Sequence, residues 1–123
     1  MHTRSKLGYQ AEKKVAHYLQ EHGFAIIAHN YRFQGGEIDI IAIDNTVVAF
    51  VEVKMRQQDY FDLTAVITPS KQRKIIATAK RYLALHEHQN KSYRFDVALL
   101  QGAKDNLELT YIPNAFNEGG LTW

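Results

Sequence analysis

Gly35-Gly36-Glu37-Ile38-Asp39-Ile40-Ile41-Ala42-Ile43 and Thr46-Val47-Val48-Ala49-Phe50-Val51-Glu52-Val53-Lys54, joined by the turn pair Asp44-Asn45, decide how this chain folds. Each half reads as a buried β-strand interrupted by charge: Asp39 in the first, Glu52 and Lys54 in the second. Packing alone does not call for such residues, because unpaired buried charge is costly. If Asp44 and Asn45 form a two-residue hairpin loop, Ile43 faces Thr46, Asp39 faces Phe50 and Glu37 faces Glu52.

Side-chain alternation then sorts the hairpin into two faces. Ile38, Ile40, Ala42, Val47, Ala49, Val51 and Val53 make one face wholly apolar. The other carries Ile41, Ile43, Val48 and Phe50 near the turn, and Glu37, Asp39, Glu52 and Lys54 at the open end, where three acids converge on one lysine. Asp39 and Glu52 become diagonal neighbours, roughly 7–8 Å apart at the backbone, from where two carboxylates can share a cation. A solvated strand end laced by Lys54 salt bridges is the competing reading, and spacing alone does not separate the two.

Working outward, Ser5 can cap a helix reaching about Glu21, with Leu7, Ala11, Val15, Tyr18 and Leu19 as its apolar stripe and Gly23 as its terminator. Glu12 lies at the border of that stripe, about 60° from a centre at Val15. Alone it reads as an exposed glutamate beside Lys13; next to the acids of the hairpin it becomes a further site candidate. Phe24 to His29 reads as a short strand and Asn30 to Gly36 as a connection. After Lys54 comes an irregular stretch over 55–67. Thr68-Pro69 then marks a helix start, and the helix runs to about Glu87 with Ile75, Ile76, Ala79, Tyr82 and Leu83 facing inward. Tyr93 to Gln101 and Leu107 to Ile112 are two further strands, and from Pro113 the chain reads as a tail. A helix between the third and fourth strands lets those two run parallel. The expectation is an α/β fold of order α-β-β-β-α-β-β: a mixed sheet flanked by helices, one domain over 1–116, with a flexible C-terminal tail over 117–123.

At 123 residues the chain has the length of one domain, and 46% apolar with 23% charged residues is ordinary globular composition. The absence of cysteine excludes a disulfide framework and thiolate metal sites and fits a reducing, cytoplasmic setting. Met1 to Lys6 is basic but is followed by no apolar run, which argues against a secretory leader, and nothing approaches membrane-spanning length. The six histidines are scattered, His86 and His88 point to different helix faces, and no phosphate-cradling glycine loop is present.

Asp39 and Glu52, with the backbone carbonyl of Val53, are the oxygen donors Mg²⁺ (or Mn²⁺) takes together with water and substrate phosphate. Lys54 beside them can orient an attacking water or stabilise developing negative charge. Lys71, Arg73 and Lys74 open the second helix, and Arg56 follows Lys54. These are candidate phosphate contacts for a nucleic acid, with a solvated helix face as the plainer alternative. Tyr60 and Phe61 add a candidate stacking surface.

Gly8 with Glu12 and Tyr18-Leu19, Gly36-Glu37-Ile38-Asp39, Phe50 to Lys54 with Arg56, Thr68 to Lys71, Arg94-Phe95-Asp96 and Asn114-Ala115-Phe116 together resemble the YraN family of small bacterial proteins, related to archaeal Holliday-junction resolvases and the wider PD-(D/E)xK nuclease superfamily. The resemblance covers roughly residues 8–116. It implies a restriction-endonuclease-like fold, with Asp39, Glu52 and Lys54 at metal-binding and catalytic positions and Glu12 at the first-helix glutamate of resolvase-like members. Ile38 stands where the superfamily motif has proline, Ala11 and Asp62 where relatives often have glycine, and Tyr111 where they often have histidine. The implied function is metal-dependent, endonuclease-like hydrolysis of DNA, on branched or recombination intermediates and so in repair or recombination. The partner is nucleic acid rather than membrane, and a symmetric junction would favour a homodimer. The rival is a catalytically silent nucleic-acid-binding or repair-accessory module of the same fold.

Overall fold

The computed structural model describes residues 6–56, 66–103 and 106–122. Ser5, Tyr60, Phe61 and Asp62, named above, lie outside them. The first helix, α1 (Lys6–Glu21), buries Ala11, Val15 and Leu19 along one stripe. It stops at Gly23, whose φ of 88° is open to glycine at no steric cost, while Phe24 N–H returns to the Leu19 carbonyl at 2.9 Å. Four strands and a second helix complete the core: β1 (Ala25–Phe33), β2 (Gly36–Ile43), β3 (Val47–Arg56), α2 (Pro69–Leu85) and β4 (Ser92–Ala103), followed by β5 (Asn106–Asn117) and the short β6 (Gly120–Leu121).

The strands form one six-stranded sheet in the order β1-β2-β3-β4-β5-β6. Every neighbouring pair is antiparallel except β3–β4, which α2 joins as a parallel crossover. One face of the sheet packs Ile41, Val48, Phe50, Phe95 and Val97 against Ile75, Ile76, Ala79 and Tyr82 of α2. The other packs Ile40, Ala42, Ala49, Val51, Ala98 and Leu100 against α1. Both faces are covered, which is why the central strands read as nearly continuous apolar runs.

Four details differ from expectation. The β2–β3 register is shifted by two residues, with Ile43 opposite Val48 and Ile41 opposite Phe50. The Asp44 carboxylate accepts from the N–H groups of Thr46 and Val47, both at 2.8 Å, and so lengthens the loop. A shift of two leaves the faces unchanged, except that Ile38 packs with Ile41 and Phe50 rather than with Ile40. That slip falls where β2 leaves β3, next to Asn30 of β1 at a φ of 52°.

The second difference is β1 itself, which continues through the expected connection to Phe33 and turns only at Gln34-Gly35, both at positive φ. Third, the residues expected to start a tail at Pro113 continue β5 to Asn117 and pair with β6, Phe116 opposite Leu121. Phe116 is 1% exposed, so this edge is anchored in the core. Fourth, a register shift in β4–β5 surrounds the fully buried Asp96, whose carboxylate holds Arg94 Nε at 3.0 Å, the Tyr111 hydroxyl and the Asn114 N–H at 2.8 Å. Burial and the Asp96 charge push the Tyr111 phenol well above its usual range, so it stays a donor.

Candidate active site at the fork between β2 and β3

The β2–β3 ladder ends at Ile40 and Val51. Beyond it the Val53 N–H donates to Asp39 Oδ2 at 2.7 Å, a carboxylate taking the place of a strand partner. Glu52 follows Val48 and Phe50 by alternation onto the α2 side of the sheet and is 7% exposed. Asp39 is hydrogen-bonded to it.

The start of α2 is held in place by the Thr68 cap, whose side chain accepts from Lys71 N at 3.2 Å, and by Gln72 Nε2 donating to the Ile67 carbonyl at 2.9 Å. Lys71 thereby lies over the fork, its Nζ 3.0 Å from Glu52 Oε2, while Lys54 Nζ is 3.8 Å from the same oxygen. Glu12 of α1 is also 7% exposed, so it is a buried acid and not the exposed helix glutamate that it resembles in isolation.

Glu12, Glu37, Asp39, Glu52, Val53, Lys54, Lys71 and Lys74 border one cleft of ≈ 340 Å³. Within it, burial first and the Glu52 carboxylate second raise the Asp39 pKa to about 9, with Glu12 adding to the effect. In the metal-free protein at neutral pH, Asp39 therefore keeps its proton. Burial and the neighbouring Lys71 ammonium lower the Lys54 pKa. Burial acts to lower that of Lys71 as well, but its contacts with Lys54 and Glu52 outweigh it and hold Lys71 above the usual lysine range. Lys71 is the nearer cation to Glu52, which fits its being the better-stabilised ammonium of the two.

Not every candidate arrives here in the expected way. Glu37 does not converge on Lys54: its carboxylate accepts from Arg32 Nε across the β1–β2 pair at 2.8 Å. Arg73, two residues from Lys71, faces a different hollow with Pro69, Gln72 and Ile76. Arg56 ends β3 half-buried, beside residues outside the description. Gly36 lets β2 approach α2 closely and borders the cleft.

Among the described residues no group of three His, Cys, Asp or Glu side chains is arranged to hold a metal ion. The donor set present is smaller: the Asp39 and Glu52 carboxyl groups, hydrogen-bonded to each other, with the Val53 backbone beside them. Such a pair fits a hard divalent cation that keeps several waters and meets substrate phosphate, because the cation removes the repulsion that the proton now removes.

The profile of Uncharacterised protein family UPF0102 matches residues 11–100. The chain belongs to the UPF0102 (YraN) family. UPF0102 proteins of Coxiella burnetii and Nitrosomonas europaea are 40% and 41% identical over 112 and 119 residues, covering 89% and 96% of this chain and 91% and 99% of their own. One from Desulfosudis oleivorans is 42% identical over 118 residues, covering 95% of this chain and 94% of its own. Among solved structures, Hjc of Archaeoglobus fulgidus, a Holliday junction resolvase, is similar with a TM-score of 0.52 at 20% identity, over 85% of this chain and 73% of that one. The shared architecture is a mixed sheet flanked by helices. Among the described residues no helix is long and apolar enough to cross a membrane.

Proposed function

We propose that this UPF0102 protein is a divalent-metal-dependent endonuclease acting on DNA, with branched or recombination intermediates as its substrate class. The observation that carries the reading is the hydrogen-bonded pair Asp39–Glu52, set beside Lys54 in a cleft whose other wall is basic. Asp39, Glu52 and the Val53 carbonyl would hold Mg²⁺ or Mn²⁺. Such a cation supplies Lewis acidity at a phosphate and lowers the pKa of coordinated water.

The chain's own groups do the rest. The Val53 N–H fixes the Asp39 carboxylate in the fork, so the pair is oriented before substrate arrives. Lys54, partly desolvated, orients the attacking water and faces the charge that develops on phosphorus oxygens. Lys71 and Lys74 take phosphates of the strand on the α2 side, and Arg56 takes one beyond the end of β3. Glu12, opposite, adds negative charge that a bound cation would offset and bounds the path of the strand. On a two-fold junction two copies would act, one on each strand. Such a substrate sets the protein in the cytoplasm.

A second reading is favoured by one contact. Lys71, 3.0 Å from Glu52, already neutralises that carboxylate, as would suit a silent DNA-binding module. Incubation with single-stranded, duplex and four-way-junction DNA in Mg²⁺ or Mn²⁺ separates the two. The nuclease reading requires cut products from at least one substrate, lost in Asp39→Asn; tight binding without products in either metal supports the silent module.

A further inference from the structure

α1 stands between two hollows. One is the cleft above; the other, ≈ 450 Å³, lies between α1 and β1 and is bordered by Tyr9, Glu12, Lys13, Ala16, His17 and His29 among others. Glu12 borders both, so they meet at its side chain. The helix repeat sets Tyr9, Lys13 and His17 in one row and Glu12 and Ala16 in the next. Ala16 leaves the floor low. Tyr9 is 54% exposed, and Lys13 Nζ lies 5.4 Å from the centre of its ring. His29 rises from β1 on the far side, and Glu21 pairs with His17 at the distal end, 3.4 Å apart. From Tyr9 to His17 the row is about 12 Å long, the axial rise of about three to four stacked nucleotides.

A strand cut in the catalytic cleft must leave it on both sides of the scissile phosphate. Lys71 and Lys74 receive it on the α2 side. On the Glu12 side, among the described residues, the next hollow is this groove, which shares the Glu12 side chain with the cleft. An exposed aromatic beside a cation is the chemistry of a single-strand platform: bases stack on the ring while the ammonium meets the backbone.

We propose that the groove between α1 and β1 is a subsite for unpaired nucleotides of the substrate strand, stacked on Tyr9 with their phosphates toward Lys13 and His29. The proposal rests on the nuclease reading and narrows it to DNA with a single-stranded segment next to the cut.

The test is fluorescence anisotropy in EDTA, where no cleavage interferes, using a forked DNA with a single-stranded arm and a blunt duplex. Tyr9→Ala and Lys13→Glu, both at exposed positions, should each bind the forked DNA about tenfold more weakly and the blunt duplex as wild type does. The chain has no cysteine, so Ala16→Cys adds a direct measurement: by thiol–disulfide exchange it should displace the leaving thiol of an activated disulfide tethered to a base in the arm far faster than Leu85→Cys does. Equal losses on both DNAs, unchanged affinities, or no preferential cross-linking would each overturn the subsite. A wild-type protein that binds neither DNA would remove the nuclease reading along with it. A wild type that binds both, with variants that match it, removes the subsite alone.

Discussion

Asp39 is where the account is most exposed to measurement. An acid whose folded pKa lies at about 9 binds a proton that the unfolded chain releases near its ordinary value of 3.8. Between those two values the folded state holds more protons than the unfolded one, so stability falls as pH rises through that window. Asp39→Asn keeps an oxygen for the Val53 N–H and a donor for Glu52, and cannot ionise. The metal-free variant should be more stable than wild type at pH 8, the gap widening by up to about 1.4 kcal/mol per pH unit above pH 4, and the difference should vanish near pH 4. Thermal melts across that range check it. Glu52→Gln is not equivalent, because it strands Lys71 and Lys54 without their shared carboxylate; it should lower the melting temperature. For Lys54→Ala, gel-shift and single-turnover assays together should show DNA binding within about threefold of wild type, since one phosphate contact among many is lost, but no cleavage. Collapsed binding with normal turnover of the bound fraction would make Lys54 a binding residue instead. Asp39, Glu52 and Lys54 were readable in the sequence because charge interrupts strands whose other positions are apolar. The burial of Glu12 was not, since its position on the wheel fits either exposure, and neither was the diversion of Glu37 to Arg32, which depends on the β1 register.

At the scale of elements, the fork works only if α2 lies close to β2. Gly36 permits that: an added Cβ would lie 2.0 Å from Thr78 Oγ1 and 3.2 Å from the Lys74 carbonyl oxygen. Gly36→Ala should cost about 1–3 kcal/mol by overpacking, and Thr78→Ala in the same chain should return part of it, as chemical denaturation of the four species of a double-mutant cycle would reveal. The first turn of α2 separates its basic residues by direction. Lys71→Ala should weaken DNA binding and lower the salt dependence by about one phosphate contact, while Arg73→Ala, facing the other hollow, should change neither. Identical slopes for wild type and Lys71→Ala would make this end of the helix a solvated face. Both helices were legible from their stripes and from Gly23 and Thr68-Pro69. The first strand was cut short at Asn30 and the fifth at Pro113, each at or beside an asparagine of unusual backbone. Asn30 and Asn114 both take a φ of 52°, a turn-like conformation that reads as a strand end yet here sits inside a continuing strand. At Asn114 the buried Asp96 accepts its N–H, a long-range contact with no local signature.

For the whole molecule, the mixed sheet covered by α1 and α2 brings together acids from three elements, α1, β2 and β3, and lysines from two, β3 and α2. The element order was legible because the parallel β3–β4 pair needs a crossover and α2 is the segment available for it. The register was not, because it turns on one side chain, Asp44, capturing two N–H groups. Everything functional depends on the acid pair in the fork being a site for a divalent cation. Calorimetric titration of the purified protein with Mn²⁺ at pH 7.5 measures that directly. Wild type should bind saturably at one site per chain, with a rise in melting temperature, and Asp39→Asn should show neither. Equal binding by wild type and variant, or no binding by wild type, would contradict a cation site at the acid pair.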